Sequence, residues 1–291
     1  MQSPIRRELG VNTWVWTSPL TDAELARLAP QVKAWGFDLI ELPVESLGDW
    51  EPATAAALLR DLGLGATVTL VMGDGRELVA TDAATVRETQ DYLRGVVDAA
   101  HAVGATVIAG PAYASVGRTW RMSESERRDR YRELVDNLAP VVAHAQAAGV
   151  TVAVEPLNRY ETSLVNTVDQ ALQAIDGLPA SGCGLLLDIY HMNIEETDMP
   201  AAIRRAGSRI AHVQVCANDR GAPGADHLPW AQILEALDDT GYTGPLCIES
   251  FTAENASIAT AASIWRPLAR TQDAIATDGL AHFKELMPQN E

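Results

Sequence analysis

Short apolar runs alternate with longer amphipathic segments along most of the chain. Runs of this length that are bounded by Gly or polar residues are typical of strands buried on both faces, and segments with apolar residues every three or four positions are typical of helices. Strands are predicted at 9–14, 37–42, 66–71, 105–109, 150–154, 183–188, 209–216 and 245–248. Helices are predicted at 21–35, 51–62, 83–103, 123–148, 166–177, 198–207 and 229–240, with further helix within 257–286.

The order of these elements predicts an α/β fold. Strands that alternate with helices through short links form a parallel sheet with right-handed crossovers. Eight such units in 291 residues fit a closed (β/α)8 TIM barrel better than an open doubly wound sheet. A dinucleotide-binding fold is disfavoured because no G-x-G-x-x-G sequence opens the first helix. We therefore expect residues 1–291 to form a single TIM-barrel domain.

The net charge of the chain argues against some classes of binding partner. It has 22 basic and 39 acidic residues, a formal net charge of −17. Such a surface repels nucleic acid and anionic membranes, so we expect neither as a partner. The three cysteines fall in apolar runs, which indicates buried free thiols in a reducing compartment. Since neither a signal peptide nor an apolar run of membrane-spanning length is visible, the sequence predicts a cytoplasmic protein.

Polar side chains that could carry chemistry occur where the last predicted strands end. An apolar run enters Asp188, His191 follows three residues later, and the neighbouring strands end at Glu155 and Glu249. In TIM barrels the active site lies at the carboxyl ends of the strands. The alternative for Asp188 is that it caps a helix beginning after the strand. Its occurrence beside two other acids favours a functional site.

Three carboxylates at neighbouring strand ends would repel one another and be costly to bury unpaired. A divalent cation removes this conflict, and oxygen ligands favour Mg²⁺ or Mn²⁺. His212 and Gln214, on the seventh strand, are two residues apart and both point into the barrel. His212 is a ligand only if the register slips, and a core histidine otherwise. His227, in the following loop, is a weaker candidate for the mouth of the barrel.

Four sequence motifs resemble one known family. They are Val154–Glu161 (VEPLNRYE), Leu187–Glu196 (LDIYHMNIEE), Asn218–Gly224 (NDRGAPG) and Ile248–Phe251 (IESF). Together they resemble the sugar isomerase/epimerase superfamily with the xylose-isomerase-like barrel, and most of all its ketose 3-epimerases for D-tagatose, D-allulose and L-ribulose. The similarity extends from about residue 9 to residue 285.

This resemblance implies the roles of particular residues. The implied metal ligands are Glu155, Asp188, Gln214 and Glu249, and the implied substrate-binding residues are Glu161, His191 and Arg220. The implied cofactor is Mn²⁺ or Mg²⁺, with Co²⁺ as an alternative. Trp14, Trp16 and Trp120 are expected to form an aromatic wall that excludes water from the sugar.

The resemblance also implies a reaction. Glu155 and Glu249 would be the catalytic pair in a ketose 3-epimerase acting on an unphosphorylated sugar. One carboxylate would remove the C3 proton to give a cis-enediolate, and the other would return a proton to the opposite face. The expected partner is a small-molecule sugar or keto-sugar, and the resemblance implies a homo-oligomer, a dimer or a tetramer.

Position 214 departs from the 3-epimerase pattern. Those enzymes typically have His there, whereas this chain has Gln214, which resembles the hydroxypyruvate isomerases and some dehydratases of the superfamily. An aldose–ketose isomerase of the hydroxypyruvate or inosose type, or a dehydratase or lyase acting on a keto-sugar, therefore stays open. A metal-dependent endonuclease is disfavoured by the negative charge, and a binding module has no need of three acids at strand ends.

Overall fold

The predicted strands all form, and they pair in chain order into a closed parallel barrel. The structure is a computed structural model that describes residues 5–287. The barrel confirms the predicted (β/α)8 fold, whereas the extension of one domain over residues 1–291 stays a prediction. The strands are β1 Leu9–Asn12, β2 Leu39–Val44, β3 Gly65–Leu70, β4 Val107–Gly110, β5 Thr151–Val154, β6 Cys183–Asp188, β7 Ile210–Val215 and β8 Leu246–Ile248.

Helices connect the strands and cover the outside of the barrel. The hydroxyl of Thr21 caps the first helix by accepting the backbone N–H of Glu24, and Gly36 ends it in a left-handed conformation with φ of 92°. The helices are α1 Asp22–Trp35, α2 Pro52–Leu62, α3 Ala83–Ala102, α4 Glu124–Ala147, α5 Val168–Ala174, α6 Ile189–Glu195, α7 Met199–Ala206, α8 Trp230–Thr240, α9 Ala256–Ala261 and α10 Gln272–Leu286. Within residues 5–287, no helix is long and apolar enough to cross a membrane.

Two local features differ from the sequence prediction, and both lie at the carboxyl ends of strands. β1 stops at Asn12 because its side chain accepts the N–H of Trp14 and starts the 3-10 turn Thr13–Val15. The predicted extension of this strand to residue 14 is therefore wrong. β6 leads directly into α6, which the sequence did not predict. Asp188 caps this helix by accepting the N–H of Tyr190 at 2.9 Å, so the helix-capping alternative is right as well.

The inside of the barrel is partly apolar and partly polar. Val107, Ala109, Ala153 and Leu186 form a small buried apolar cluster of their own. Polar side chains from other strands are fully or almost fully buried in the same interior, namely Asn12, Glu41, Thr67, His212 and Gln214. The larger core packs the helices against the outside of the strands. The three cysteines are free and buried, as the sequence predicted.

Candidate active site

The four predicted metal-binding side chains come from neighbouring strands at one end of the barrel. Asp188, at the end of β6, lies opposite Gln214 of β7 in the parallel register. Glu155 follows β5, and its N–H donates to the carbonyl of Gly110 at 3.0 Å. Glu249 follows β8, and its N–H donates to the carbonyl of Val215 at 3.1 Å. The backbone hydrogen bonds between strands thus continue as far as Glu155 and Glu249 and fix both acids at the carboxyl end of the barrel.

The three carboxylates are buried around two basic side chains. Nη1 of Arg220 donates to Oδ2 of Asp188 at 2.6 Å and to Oε2 of Glu249 at 2.8 Å. Nε2 of His191 lies 3.5 Å from Oε1 of Glu155 and 3.4 Å from Oδ2 of Asp188. The structure therefore brings together three of the predicted ligands and two of the predicted substrate-binding residues.

Burial and mutual repulsion raise the pKa of two of these acids. Burial is the largest cause for Glu155, and the charges of Glu249 and Asp188 add to it, so its pKa lies well above the usual range. Burial also raises the pKa of Glu249 to about 8, although the positive charge of Arg220 opposes this shift. Both acids can therefore hold a proton near neutral pH, as groups that exchange protons with a substrate must.

Burial and hydrogen bonds hold His191 in place, and burial favours its neutral form. Its Nδ1 accepts the backbone N–H of Asn158 at 3.0 Å, and the side-chain amide nitrogen of Asn158 lies 2.9 Å away. Burial lowers the pKa of His191, although the nearby charge of Asp188 opposes this shift. Nε2 faces Glu155 and Asp188, and Nη2 of Arg220, which can only donate, lies 3.1 Å from it.

Arg220 has a constrained backbone and a clamped side chain. Its φ of 69° lies in the left-handed region, which is unfavourable for a residue with a Cβ atom and occurs often at functional sites. The guanidinium lies over the rings of Tyr190 and Phe251, at 4.0 and 5.1 Å from their centroids. Its carbonyl accepts the hydroxyl of Ser250 at 2.5 Å. These contacts fix the position of its charge.

Gln214 and His212 both turn to Glu41, an acid whose role the sequence analysis did not predict. Nε2 of Gln214 donates to Oε2 of Glu41 at 2.7 Å, and Nε2 of His212 lies 2.6 Å from Oε1. Burial alone would raise the pKa of Glu41, but His212 and the surrounding donors lower it to about 2. His212 is therefore a core residue bound to a buried carboxylate, which was the expected alternative to a metal ligand.

The chemistry of these residues fits a divalent cation. Oε1 of Gln214 is buried and has no hydrogen-bond partner within the described part of the chain. A buried oxygen without a partner is costly, and coordination would satisfy it. Donor atoms of Glu155, Asp188 and His191 also lie within 4.8 Å of one another. Carboxylate and amide oxygens form the type of ligand set that suits Mg²⁺ or Mn²⁺.

A cavity of about 250 Å³ opens above the carboxylates. Its polar lining includes Glu155, Glu161, His191, Arg220 and Glu249. Oε1 of Glu161 accepts the side-chain amide of Asn158 at 2.7 Å, which connects it to His191. Apolar groups from separate parts of the chain form the remaining wall, among them Trp14, Val71, Leu157, Phe251 and Ile258. The cavity is thus polar at the acids and largely apolar beyond them.

Three residues considered from the sequence do not line this cavity. Trp120 packs beside Arg118, and its backbone exchanges hydrogen bonds with Ser163. Trp16 stacks on Trp35 at 5.8 Å and is not part of the cavity wall. His227 is exposed and does not line the cavity. Of the expected aromatic wall, Trp14 alone is in place, and Phe251 supplies the second ring at 5.6 Å from it.

Comparison with known proteins agrees with the fold. Residues 29–286 match the family described as the xylose isomerase-like TIM barrel. The chain belongs to this family. A probable ketose 3-epimerase from Synechocystis sp. is 31% identical over 291 residues, which is the whole of both chains. An L-ribulose 3-epimerase from Mesorhizobium japonicum is 33% identical and covers 89% of this chain and 87% of its own.

A solved structure of a similar protein shows the same architecture. The crystal structure of a D-allulose 3-epimerase from Methylomonas sp. superposes with a TM-score of 0.89, at 28% identity and with coverage of 99% of this chain and 100% of that one. The similarity predicted from the four motifs is thereby confirmed. The chain is accordingly an enzyme, of the epimerase class within this family.

Three residues of the site were given no role on the basis of the sequence, namely Glu41, Asn158 and Phe251. Glu41 is an acid within an otherwise apolar predicted strand, 37–42, and this placement was the available signal. Asn158 lies inside the VEPLNRYE motif but was given no role. Phe251 lies two residues after Glu249, in the IESF motif, and this proximity was a signal too.

Proposed function

We propose that this protein is a divalent-metal-dependent ketose 3-epimerase that acts on an unphosphorylated sugar. The observation that carries the proposal is the pair Glu155 and Glu249, two buried acids that line one cavity and have raised pKa values. Inversion of a carbon centre needs one group to remove a proton and another to return one. Relatives named ketose 3-epimerase and L-ribulose 3-epimerase support this reaction.

Glu155, Asp188, Gln214 and Glu249 would hold the metal. When bound, a divalent cation supplies Lewis acidity to the ketose oxygens and so acidifies the adjacent C–H bond. Glu155 and Glu249 belong to strands that are not neighbours, since β6 and β7 lie between them. They can therefore approach a sugar carbon from different directions. In this proposal, one accepts the C3 proton and the other donates a proton to the opposite face.

The remaining polar residues would bind and orient the sugar. His191 and Arg220 can form hydrogen bonds with sugar oxygens, and Arg220 can also balance negative charge that develops there. Glu161 can accept a hydrogen bond from a sugar hydroxyl, since the side-chain amide of Asn158 holds the Glu161 carboxylate in place. Trp14 and Phe251 would exclude water from the face of the sugar.

The lining of the cavity supports a substrate without a phosphate. Arg220 is the only arginine or lysine among the described residues that line it, and its guanidinium is already paired with two acids. Glu45 adds a further carboxylate at the wall, where it accepts the indole N–H of Trp14 at 2.9 Å. A phosphate dianion would therefore meet repulsion in this cavity. The homo-oligomeric state and the cytoplasmic location stay predictions.

Deuterium incorporation tests the reaction. Ketoses such as D-allulose, D-tagatose and L-ribulose would be incubated with the Mn²⁺-loaded enzyme in D₂O, and the recovered sugars examined by NMR. A 3-epimerase should place deuterium at C3 and leave C1 unlabelled. Label at C1 or C2 would instead identify an aldose–ketose isomerase, and loss of water with a new double bond would identify a dehydratase. Either result would reject the proposed reaction.

A further inference from the structure

Glu41 is the centre of a buried polar network that does not line the cavity. Its side chain is fully buried on β2 and faces four donors, two on the neighbouring strands β1 and β3 and two on β7 across the barrel. Oε1 accepts from Thr67 at 3.0 Å and lies 2.6 Å from His212. Oε2 accepts from Asn12 at 2.8 Å and from Gln214 at 2.7 Å. A carboxylate has about four acceptor sites, so every one of them is used.

The contact between Glu41 and Gln214 determines which way the nitrogen and the oxygen of the Gln214 amide point. The nitrogen is committed to Glu41, whereas the oxygen is buried without a partner within residues 5–287. Gln214 is also the register partner of Asp188, so both side chains enter the barrel interior at the same level. The oxygen is therefore the atom of Gln214 that is left for a cation beside Asp188.

The opposite orientation of the Gln214 amide would be unfavourable both toward Glu41 and toward the metal. With the amide reversed, Oε1 of Gln214 would face an ionised carboxylate oxygen at hydrogen-bond distance, and Glu41 would lose a donor. The NH₂ group would then point toward the cation, and an amide nitrogen is a poor ligand because its lone pair is delocalised into the carbonyl group. A neutral side chain at position 41 would not enforce the observed orientation in this way.

We propose that Glu41 is a positioning residue that fixes the amide of Gln214 with its oxygen available to the metal, and so sets the affinity of the site. This inference rests on the metal dependence in the proposed function but not on the identity of the sugar. Glu41 itself would not touch the metal or the substrate. Partners of this kind orient the groups that bind a metal directly, and their loss typically weakens affinity by roughly 10–100-fold.

Shortening the side chain of Glu41 distinguishes the effect of its position from the effect of its charge. Glu41→Asp keeps the negative charge but withdraws it by one methylene group, so it should no longer reach Gln214. We expect Mn²⁺ affinity, measured by calorimetric titration, to fall by roughly 10–100-fold and to approach that of Gln214→Leu, which lacks the oxygen altogether. If the charge alone mattered, Glu41→Asp would bind Mn²⁺ as tightly as the parent, and the proposal would be overturned.

A matched control accounts for general loss of stability. Thr89 lies on α3, outside the barrel interior, and is also a buried polar residue. Its hydroxyl accepts the backbone N–H of Glu77 at 2.9 Å. Thr89→Val should lower the Tm while leaving Mn²⁺ affinity at the parental value. If Thr89→Val weakens Mn²⁺ binding as much as Glu41→Asp does, the effect is one of stability, and Glu41 has no positioning role.

The parent protein gives a direct readout that does not depend on a variant's folding. In protein labelled with ¹³C and ¹⁵N at glutamine, Gln214 is assigned by the signals missing from Gln214→Leu. Diamagnetic Mg²⁺ should shift its side-chain ¹³C carbonyl, while its NH₂ protons stay protected from exchange by Glu41. Rapidly exchanging NH₂ protons would overturn the proposal.

The outcomes distinguish this proposal from the proposed function. A parent that binds neither Mn²⁺ nor Mg²⁺ rejects both. A parent that binds metal, with Glu41→Asp unchanged, rejects the role of Glu41 alone. A parent that binds metal through an oriented Gln214, yet shows no 3-epimerase activity, supports Glu41 and rejects the reaction.

Discussion

The raised pKa values predict that metal binding competes with protons. With a pKa of about 8, Glu249 is largely protonated in the metal-free protein below that pH, and a metal ligand must be deprotonated. Between pH 6 and pH 8 the ionised fraction of such a group rises from about 1% to about half, so affinity should rise roughly 50-fold from Glu249 alone. The raised pKa of Glu155 increases the effect further in the same direction.

The same shift determines how the stability of the metal-free protein depends on pH. A folded-state pKa of about 8 exceeds the ordinary value of 4.5, so the folded protein binds more protons than the unfolded chain between these values. Its contribution to stability is present in full below pH 4.5 and is lost as the pH rises through 8. The Tm of the metal-free protein should therefore fall from pH 6 to pH 8, and added Mn²⁺ should raise the Tm more at pH 8.

Calorimetric titration of Mn²⁺ at several pH values measures this effect. Titrations in buffers with different ionisation enthalpies also count the protons released, which should be substantial at pH 6. Asp91→Asn is a matched control, because that side chain is 76% exposed on α3 and its loss removes one negative charge far from the cavity. It should leave the pH dependence unchanged. An affinity that stays constant or falls between pH 6 and pH 8 would refute the reasoning.

The remaining predictions concern turnover. Glu155→Gln and Glu249→Gln should each lower kcat by about 10²-fold or more, because a general acid or base is lost, while far-ultraviolet circular dichroism stays at that of the parent. A variant with a near-normal rate would remove that residue from the chemistry, and Asp91→Asn again serves as the control. Treatment with a chelator should abolish turnover, and Mn²⁺, Mg²⁺ or Co²⁺ should restore it. Full activity of the metal-stripped protein would contradict the metal site.

The fold and the edge of the barrel that carries the site could be predicted from local sequence. Most strands are largely apolar runs that are buried on both faces, so their composition marks them. Glu155, Asp188 and Glu249 stand where such runs end, and parallel strands place these ends together. The VEPLNRYE motif then marks Glu161 by resemblance. None of these inferences requires a contact between distant side chains to be known.

The partners of these residues could not be predicted, because they depend on closure of the barrel. Glu41 and His212 are separated by 171 positions in the chain, and they meet only because β2 and β7 face each other across the interior. The helix α6 was missed because a strand that leads directly into a helix leaves no loop composition to mark the change. Trp120 was placed in the wall by its residue type, but the path of its loop takes it to Arg118.

The site contains two kinds of buried carboxylate, and their surroundings assign them different roles. Glu41 is enclosed by fixed donors that hold its pKa at about 2, and it does not line the cavity. It can therefore neither take a proton from a substrate near neutral pH nor reach one. Glu155 and Glu249 line the cavity, and burial raises their pKa values. Because a general base works best when its pKa is near the operating pH, these two acids are the ones that we propose for proton transfer. Glu41 keeps its charge permanently, which is the property that a positioning residue needs.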